Sequence, residues 1–276
     1  MSAALDAALP LLACPVCADP LTRRDGVVGC RAGHRFDVAR QGYLTLLGAG
    51  SRTDTGDTAD MVAARQEFLD AGHFDPLTKA IVAAAGDGPV LDLGAGTGHH
   101  LRAVVDRRGG VGLAIDASRY AARRAARVHP RMAAVVADAW SRLPIRAAAV
   151  GTVLNIFAPR DPAELVRILT PGGRAVIVTP TPAHQIELRE RFGLLTVDPG
   201  KADRLADTLA GRLAAVDQVT VRHTMALSRG DVDRLIRMGP SAYHLPADRR
   251  RAAVDALDEV TDVTLAVTVS VFLAPA

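Results

Sequence analysis

The chain has 276 residues, about half of them hydrophobic and 23% charged, with a net charge of +3. That composition excludes global disorder and suits one large domain, or a medium one with a small attachment. Uncharged runs such as Ala147 to Pro159 fall well short of the roughly 20 residues a membrane helix needs.

Met1 to Leu12 carries Asp6 and no basic residue, so it lacks the charged start of a secretory signal. The expectation is a cytoplasmic protein with no membrane span. Lys79 and Lys201 are the only lysines, and nearly all positive charge is on arginine. Arginine can bind two phosphate oxygens with one planar fork, although a GC-rich genome gives the same bias. Composition permits RNA binding without showing it.

All three cysteines lie near the start, as Cys14, Cys17 and Cys30, and His34 follows. Cys14-Pro15-Val16-Cys17 is a C-x2-C knuckle, and Cys30-x3-His34 supplies a second pair after twelve intervening residues. Three thiolates and one imidazole make a closed tetrahedral shell for a structural zinc ion. An odd number of cysteines in a cytoplasmic chain also favours a metal over disulfides. Leu21 to Gly29 reads as a hairpin around Asp25-Gly26. A module this small needs its metal to fold. Arg35, Phe36, Arg40 and Tyr43 suit either phosphate contacts with base stacking or packing beneath the knuckles.

Gly48 to Thr58 has no apolar periodicity and reads as a linker. The sequence therefore divides into a zinc-binding module at 1–47, a linker with helices at 48–87, and a large domain at 88–276. Helices are expected from Ala59 to Ala71, capped by Thr58 or Asp57, and from Pro76 to Ala85.

The large domain is organised around Val90-Leu91-Asp92-Leu93-Gly94-Ala95-Gly96-Thr97-Gly98. This is a buried strand, a glycine-rich turn and the start of a helix, the parts of a nucleoside site at a parallel sheet. Gly94, Gly96, Thr97 and Gly98 are candidate ligand contacts through their backbone. A second strand ends at Asp116, where an acid meets the hydroxyls of a ribose. A third ends at Asp138, placed to accept from an adenine amine. A fourth, Ala149 to Ile156, carries polar Asn155 near its carboxyl end. Beyond a helix at Pro162 to Leu169 and a strand at Arg174 to Thr179, His184 precedes a helix from Gln185 to Gly193. Strands at Leu213 to Leu227 and Asp262 to Leu273 are expected to close the sheet as an antiparallel pair, with a helix at Gly230 to Met238 between them. The fold class is α/β.

With these residues in view, the chain resembles the Rossmann-like S-adenosylmethionine-dependent methyltransferases. Leu-Asp-Leu-Gly-Ala-Gly-Thr-Gly looks like their first motif, Asp116 their second, and Leu169-Thr170-Pro171-Gly172-Gly173 a later loop. A narrower likeness covers almost the whole chain. Cys-Pro-x-Cys…Cys…His-x-Phe-Asp-x-Ala-x-x-Gly-Tyr, Asp-Ala-Gly-His-Phe, Asn-Ile-Phe-Ala-Pro-Arg and Met-Gly-Pro-Ser-Ala-Tyr-His resemble the bacterial 23S rRNA guanine-N1 methyltransferases. The likeness is to the Gram-positive branch, which includes the tylosin- and mycinamicin-resistance enzymes.

The resemblance implies zinc at Cys14, Cys17, Cys30 and His34, and cofactor contacts at Gly96-Thr97, Phe74 and His184. Phe74 stands where some relatives have tyrosine. The resemblance further implies a homodimer, a 23S rRNA hairpin as partner, and methyl transfer from S-adenosylmethionine to guanine N1. Asn155 and His184 are the candidates for positioning the base or taking its proton; no catalytic residue is named beyond them. Two other readings are a small-molecule methyltransferase and a non-catalytic RNA-binding protein that keeps the cofactor pocket.

Overall fold

The structure is a computed structural model that describes residues 3–48, 50, 51, 56–194, 196, 198 and 200–275. Part of the expected linker, residues 49 and 52–55, lies outside the described residues.

Helix α1 (Ala3–Ala8) opens the chain. Strands β1 (Thr22–Arg24), β2 (Val27–Gly29) and β3 (Arg35–Phe36) then form a small antiparallel sheet in that order. The hairpin turn falls at Asp25-Gly26, both with positive φ (50° and 81°). That pairing is the turn whose twist matches two antiparallel strands.

Next come β4 (Leu44–Thr45), α2 (Ala59–Asp70), α3 (Asp75–Ala84), β5 (Val90–Leu93), α4 (His99–Arg108), β6 (Gly112–Asp116), α5 (Arg119–Ala125) and β7 (Met132–Val136). The Thr58 hydroxyl caps α2 by accepting from the Met61 N–H, as the sequence predicts. The chain continues through β8 (Val150–Ile156), α6 (Pro162–Ile168), β9 (Leu169–Pro180), α7 (Ile186–Phe192), α8 (Lys201–Leu209), β10 (Ala214–Ser228), α9 (Arg229–Arg237), α10 (Ala247–Asp255) and β11 (Val260–Leu273).

Eight strands form one sheet in the order β10-β11-β9-β8-β5-β6-β7-β4. From β4 to β9 neighbouring strands are parallel, and β11 runs antiparallel to both β9 and β10. The expected closing pair is therefore present. Pro171-Gly172-Gly173, within the stretch likened to a later loop, is a bulge inside β9, where the register against β8 jumps from Val150↔Leu169 to Thr152↔Arg174.

Alternation along β5 sends Leu91 and Leu93 to one core, with Leu113, Ile115, Val153 and Ile177, and Val90 to the other, with Leu101, Val104, Leu154 and Val176. Both faces of the sheet are thus covered, as parallel strands require. No helix among the described residues is long and apolar enough to cross a membrane.

The N-terminal residues are built into this body. β4 extends the large sheet by pairing with β7 (Leu44↔Val135, Thr45↔Val136). Leu5, Leu12, Leu21 and Val28 share one core with Leu113 and Val135. The Ala13 N–H donates to the Pro144 carbonyl (2.9 Å) and the Arg146 N–H to the Leu11 carbonyl (2.9 Å).

Candidate functional site

The two knuckles fold by local backbone bonds. At the first, the Cys14 N–H donates to the Asp19 carbonyl and the Ala18 N–H to the Cys14 carbonyl, with Ala18 left-handed (φ 63°). At the second, the Cys30 N–H donates to the His34 carbonyl and the Gly33 N–H to the Cys30 carbonyl. These turns bring the Cys14, Cys17 and Cys30 sulfurs and a His34 ring nitrogen within 4.8 Å of one another. Cys17 Sγ is 3.6 Å from Cys30 Sγ, and His34 Nδ1 is 3.3 Å from Cys30 Sγ and 3.6 Å from Cys14 Sγ. A tetrahedral zinc ion with ordinary bond lengths needs ligand separations of about 3.5–3.8 Å. The shell fits zinc, and 3.6 Å is far too long for a disulfide.

The second centre lies at the carboxyl edge of the parallel strands. The chain leaves β5 for β6 and β7 on one side and returns to β8 on the other, so the crevice between β5 and β8 is the point where ligands bind in such sheets. The glycine turn sits there, with Gly94, Gly96 and Gly98 all at positive φ (78°, 54° and 79°). Asp116 fastens it: one carboxylate oxygen accepts from the Gly96 N–H and the other from the Ser118 N–H, both at 2.8 Å. Burial raises the Asp116 pKa, while these two N–H groups oppose the rise. Asp138 is buried at the end of β7, and its Oδ1 accepts from the Trp140 N–H (2.8 Å). The Asp92 side chain lies on the Val90 face of β5, fully buried. Burial, with the Asp116 charge added, pushes its pKa up to about 8.

Asp92 Oδ1 and Thr97 Oγ1 are buried without a hydrogen-bond partner among the described residues. An unmade bond at a buried polar atom is costly. Two such atoms beside a glycine turn and two further acids suit a polar, cation-bearing nucleoside.

His184 is nearly buried. Its Nδ1 accepts from the Ala266 N–H (3.2 Å), and its Nε2 lies 3.1 Å from the Gln185 side-chain amide. Burial, assisted by the Arg189 charge, lowers its pKa to about 4. Asn155 is fully buried, donating to the Pro159 carbonyl (3.0 Å) and accepting from Arg160 (3.1 Å). Phe74 is only 3% exposed and packs edge-on against Phe68, ring centroids 5.3 Å apart. It stands at the N-cap position of α3.

Three residues at this edge escape a reading by spacing. Arg65 on α2 lies against Gly96, where an added Cβ would approach its Cδ to 3.1 Å. It pairs with Asp57 (2.7 Å) and donates to the Met238 carbonyl (2.7 Å). The Asp57 carbonyl accepts from the Ser118 hydroxyl (2.6 Å). Phe157, just beyond β8, stacks on His184. A groove of about 620 Å³ between α3 and α4, lined by Lys79, Arg107 and Arg108 among others, includes none of the predicted site residues.

Comparison with known proteins now adds to this geometry. Residues 12–52 match the zinc-ribbon family model described as RlmA, N-terminal. A protein of Micromonospora griseorubida named as a 23S rRNA (guanine-N1)-methyltransferase is 48% identical, over 94% of this chain and 96% of its own length. The 23S rRNA (guanine(748)-N(1))-methyltransferase of Streptomyces fradiae is 45% identical, over 94% of this chain and 95% of its own. The chain belongs to the 23S rRNA (guanine-N1)-methyltransferases. A protein of Bacillus halodurans C-125 described as a methyltransferase shares the fold at a TM-score of 0.50 and 16% identity, over 72% of this chain and 97% of that one.

Like other 23S rRNA (guanine-N1)-methyltransferases in this comparison, the chain is an enzyme with a Rossmann-like methyltransferase fold; its zinc ribbon matches the RlmA type. Its cofactors are S-adenosylmethionine and zinc.

Proposed function

We propose that this chain methylates N1 of one guanine in a hairpin of 23S rRNA, acting as a cytoplasmic homodimer. The observation that carries the reading is the pairing of a Cys3His ribbon with a glycine turn fastened by Asp116, in a chain 45–48% identical to named guanine-N1 methyltransferases over nearly its full length.

S-adenosylmethionine, when bound, supplies a methyl group already activated by its sulfonium. The protein is left with positioning and the exclusion of water. The turn at Gly94 to Gly98 would hold the cofactor through backbone N–H groups, with Asp116 toward the ribose and Asp138 toward the adenine. Thr97 supplies a hydroxyl at the turn that has no partner among the described residues. His184 offers no free lone pair, because Nδ1 already accepts from Ala266 and burial keeps the ring neutral. It therefore serves as a packed wall of the site rather than the proton acceptor. Asn155, bonded to the Pro159 carbonyl and Arg160, would position the loop that follows β8.

Guanine N1 lies on the Watson–Crick edge, so the target must leave its pair before reaction. A hairpin loop makes that cheap. The ribbon, with Arg35, Arg40 and Tyr43 nearby, would recognise RNA shape and phosphates.

Primer extension on 23S rRNA treated with the enzyme tests this. Reverse transcriptase is expected to stop at a single guanine, and the position named for the Streptomyces relative, 748, is the first to check. Read-through at every guanine by cofactor-bound enzyme overturns the proposal. Expression in a tylosin-sensitive host, with the inhibitory concentration measured, reads the resistance role that the branch implies.

A further inference from the structure

Phe157 combines three features that a merely structural phenylalanine does not need. Its backbone is left-handed (φ 56°), a conformation that bulky L residues adopt only where the surroundings impose it. The residue is 42% exposed in a chain with few aromatics. And its ring lies nearly parallel to the His184 imidazole, 24° between planes and 5.8 Å between centroids.

The surroundings do impose it. The fully buried Asn155 holds the Pro159 carbonyl and the Arg160 guanidinium, and Arg160 also donates to the Ala158 carbonyl (3.3 Å). The Phe157 N–H donates to the Val178 carbonyl of β9 (3.3 Å). Ala158 lies directly over Gly94 of the cofactor turn, in the space a glycine Cβ would fill. On the other side of the stack, His184 is fixed at both ring nitrogens, and its neighbour Gln185 is itself left-handed (φ 55°). Two strained residues on different segments thus converge to hold one aromatic pair beyond the carboxyl ends of the neighbouring strands β8 and β9, beside the Ala158 that packs on the cofactor turn.

A strained backbone is kept where it aims a side chain at something. Packing does not require this residue to be exposed, and a purine offers the flat π-face that an exposed aromatic can take up without reading hydrogen bonds. We propose that Phe157 is the platform on which the substrate guanine stacks after leaving the RNA helix, with His184 as the second layer beneath it. This makes Phe157 a substrate-positioning residue, and it rests on the methyl-transfer reading above.

The test uses the full chain with its zinc and a 23S rRNA hairpin fragment. Phe157→Asn keeps a residue that tolerates the left-handed backbone and removes the ring; Phe157→Trp keeps an aromatic face. Loss of one base–aromatic stack corresponds to about a ten- to hundredfold fall in kcat/KM. The expected result is that fall in Phe157→Asn, substantial recovery in Phe157→Trp, and S-adenosylhomocysteine affinity within about twofold of the parent in both. A hairpin with 2-aminopurine at the target position is expected to fluoresce less when bound by the parent than when bound by Phe157→Asn, because the ring quenches the extruded base.

Phe157→Asn as active as the parent overturns the proposal. So does an equal loss of S-adenosylhomocysteine affinity in both variants, which would place the ring on the cofactor. Failure of the parent to methylate any guanine is the separate signature of a wrong functional reading, and it removes this inference with it.

Discussion

Gly94 and Ala158 meet so closely that a Cβ on the glycine would stand 2.5 Å from the alanine's Cβ. The loop after β8 therefore packs directly on the turn after β5. The space between these two walls of the crevice leaves no room for a side chain at residue 94. Gly94→Ala should cost about 2–5 kcal/mol, combining a left-handed alanine with overpacking. Its melting temperature and S-adenosylhomocysteine affinity should both fall. Adding Ala158→Gly should recover the overpacking share only, because φ 78° at residue 94 is unchanged. Calorimetric titration of the single and double variants checks this.

Asn155→Ala leaves the Pro159 carbonyl without its side-chain donor and Arg160 without its amide acceptor. About 1–3 kcal/mol of stability should be lost, a fall in melting temperature of roughly 2–10 °C for a domain of this size. An unchanged melting temperature with abolished methylation would instead put the amide on the substrate.

Asp92 gives the protein a definite dependence on pH. Its carboxyl titrates near 8 when folded and about 3.9 when unfolded. Between those values the folded state holds the extra proton, so stability falls as pH rises. The contribution of this group is complete below about pH 4 and is lost by the time pH passes about 8. Asp92→Asn removes the titration. The melting temperature of the variant minus that of the parent should therefore grow steadily from pH 5 to pH 8. A constant difference would contradict the assignment.

For the ribbon, one zinc ion per chain is expected by atomic emission. Cys30→Ala should hold almost none. Because Cys14 is buried in the same core as Leu12 and Val135, loss of the metal should not remain local. A fall in melting temperature of about 10 °C or more is expected, equivalent to a few kcal/mol. Restoration by added zinc in the parent after chelation completes the check.

Much of this site is legible in the sequence because its signals are local. Four metal ligands announce themselves by spacing, and Asp116 and Asp138 by closing successive apolar strands. Gly94, Gly96 and Gly98 mark a turn that the structure builds with positive φ at all three. What spacing does not carry is the contact of remote segments. Arg65 reaches Gly96 from a helix some thirty residues earlier, and no periodicity in α2 indicates it. Asn155 reads as a polar group at a strand end, yet its partners turn it inward. Phe74 sits at a helix start, where exposure and burial are equally compatible with the sequence; Phe68 decides for burial.

The elements absent from the sequence reading have similar reasons. Helix α1 is only six residues long, too short for an amphipathic period to show, and it is held by Leu5 and Ala8 against the sheet. β4 is two residues long. Nothing in Leu44-Thr45 indicates that it completes an eight-stranded sheet ninety residues away.

That two-residue pairing of β4 with β7 has a cellular consequence. β7 is apolar and buried along its whole length, and β4 occupies its outer hydrogen-bonding edge. A chain that cannot load zinc, or one cut after residue 47 in the hope of a free-standing catalytic body, would lose its grip on that edge. An uncovered apolar strand is a template for adding strands from other chains. Metal supply during synthesis would then decide the enzyme's solubility before it ever meets a ribosome.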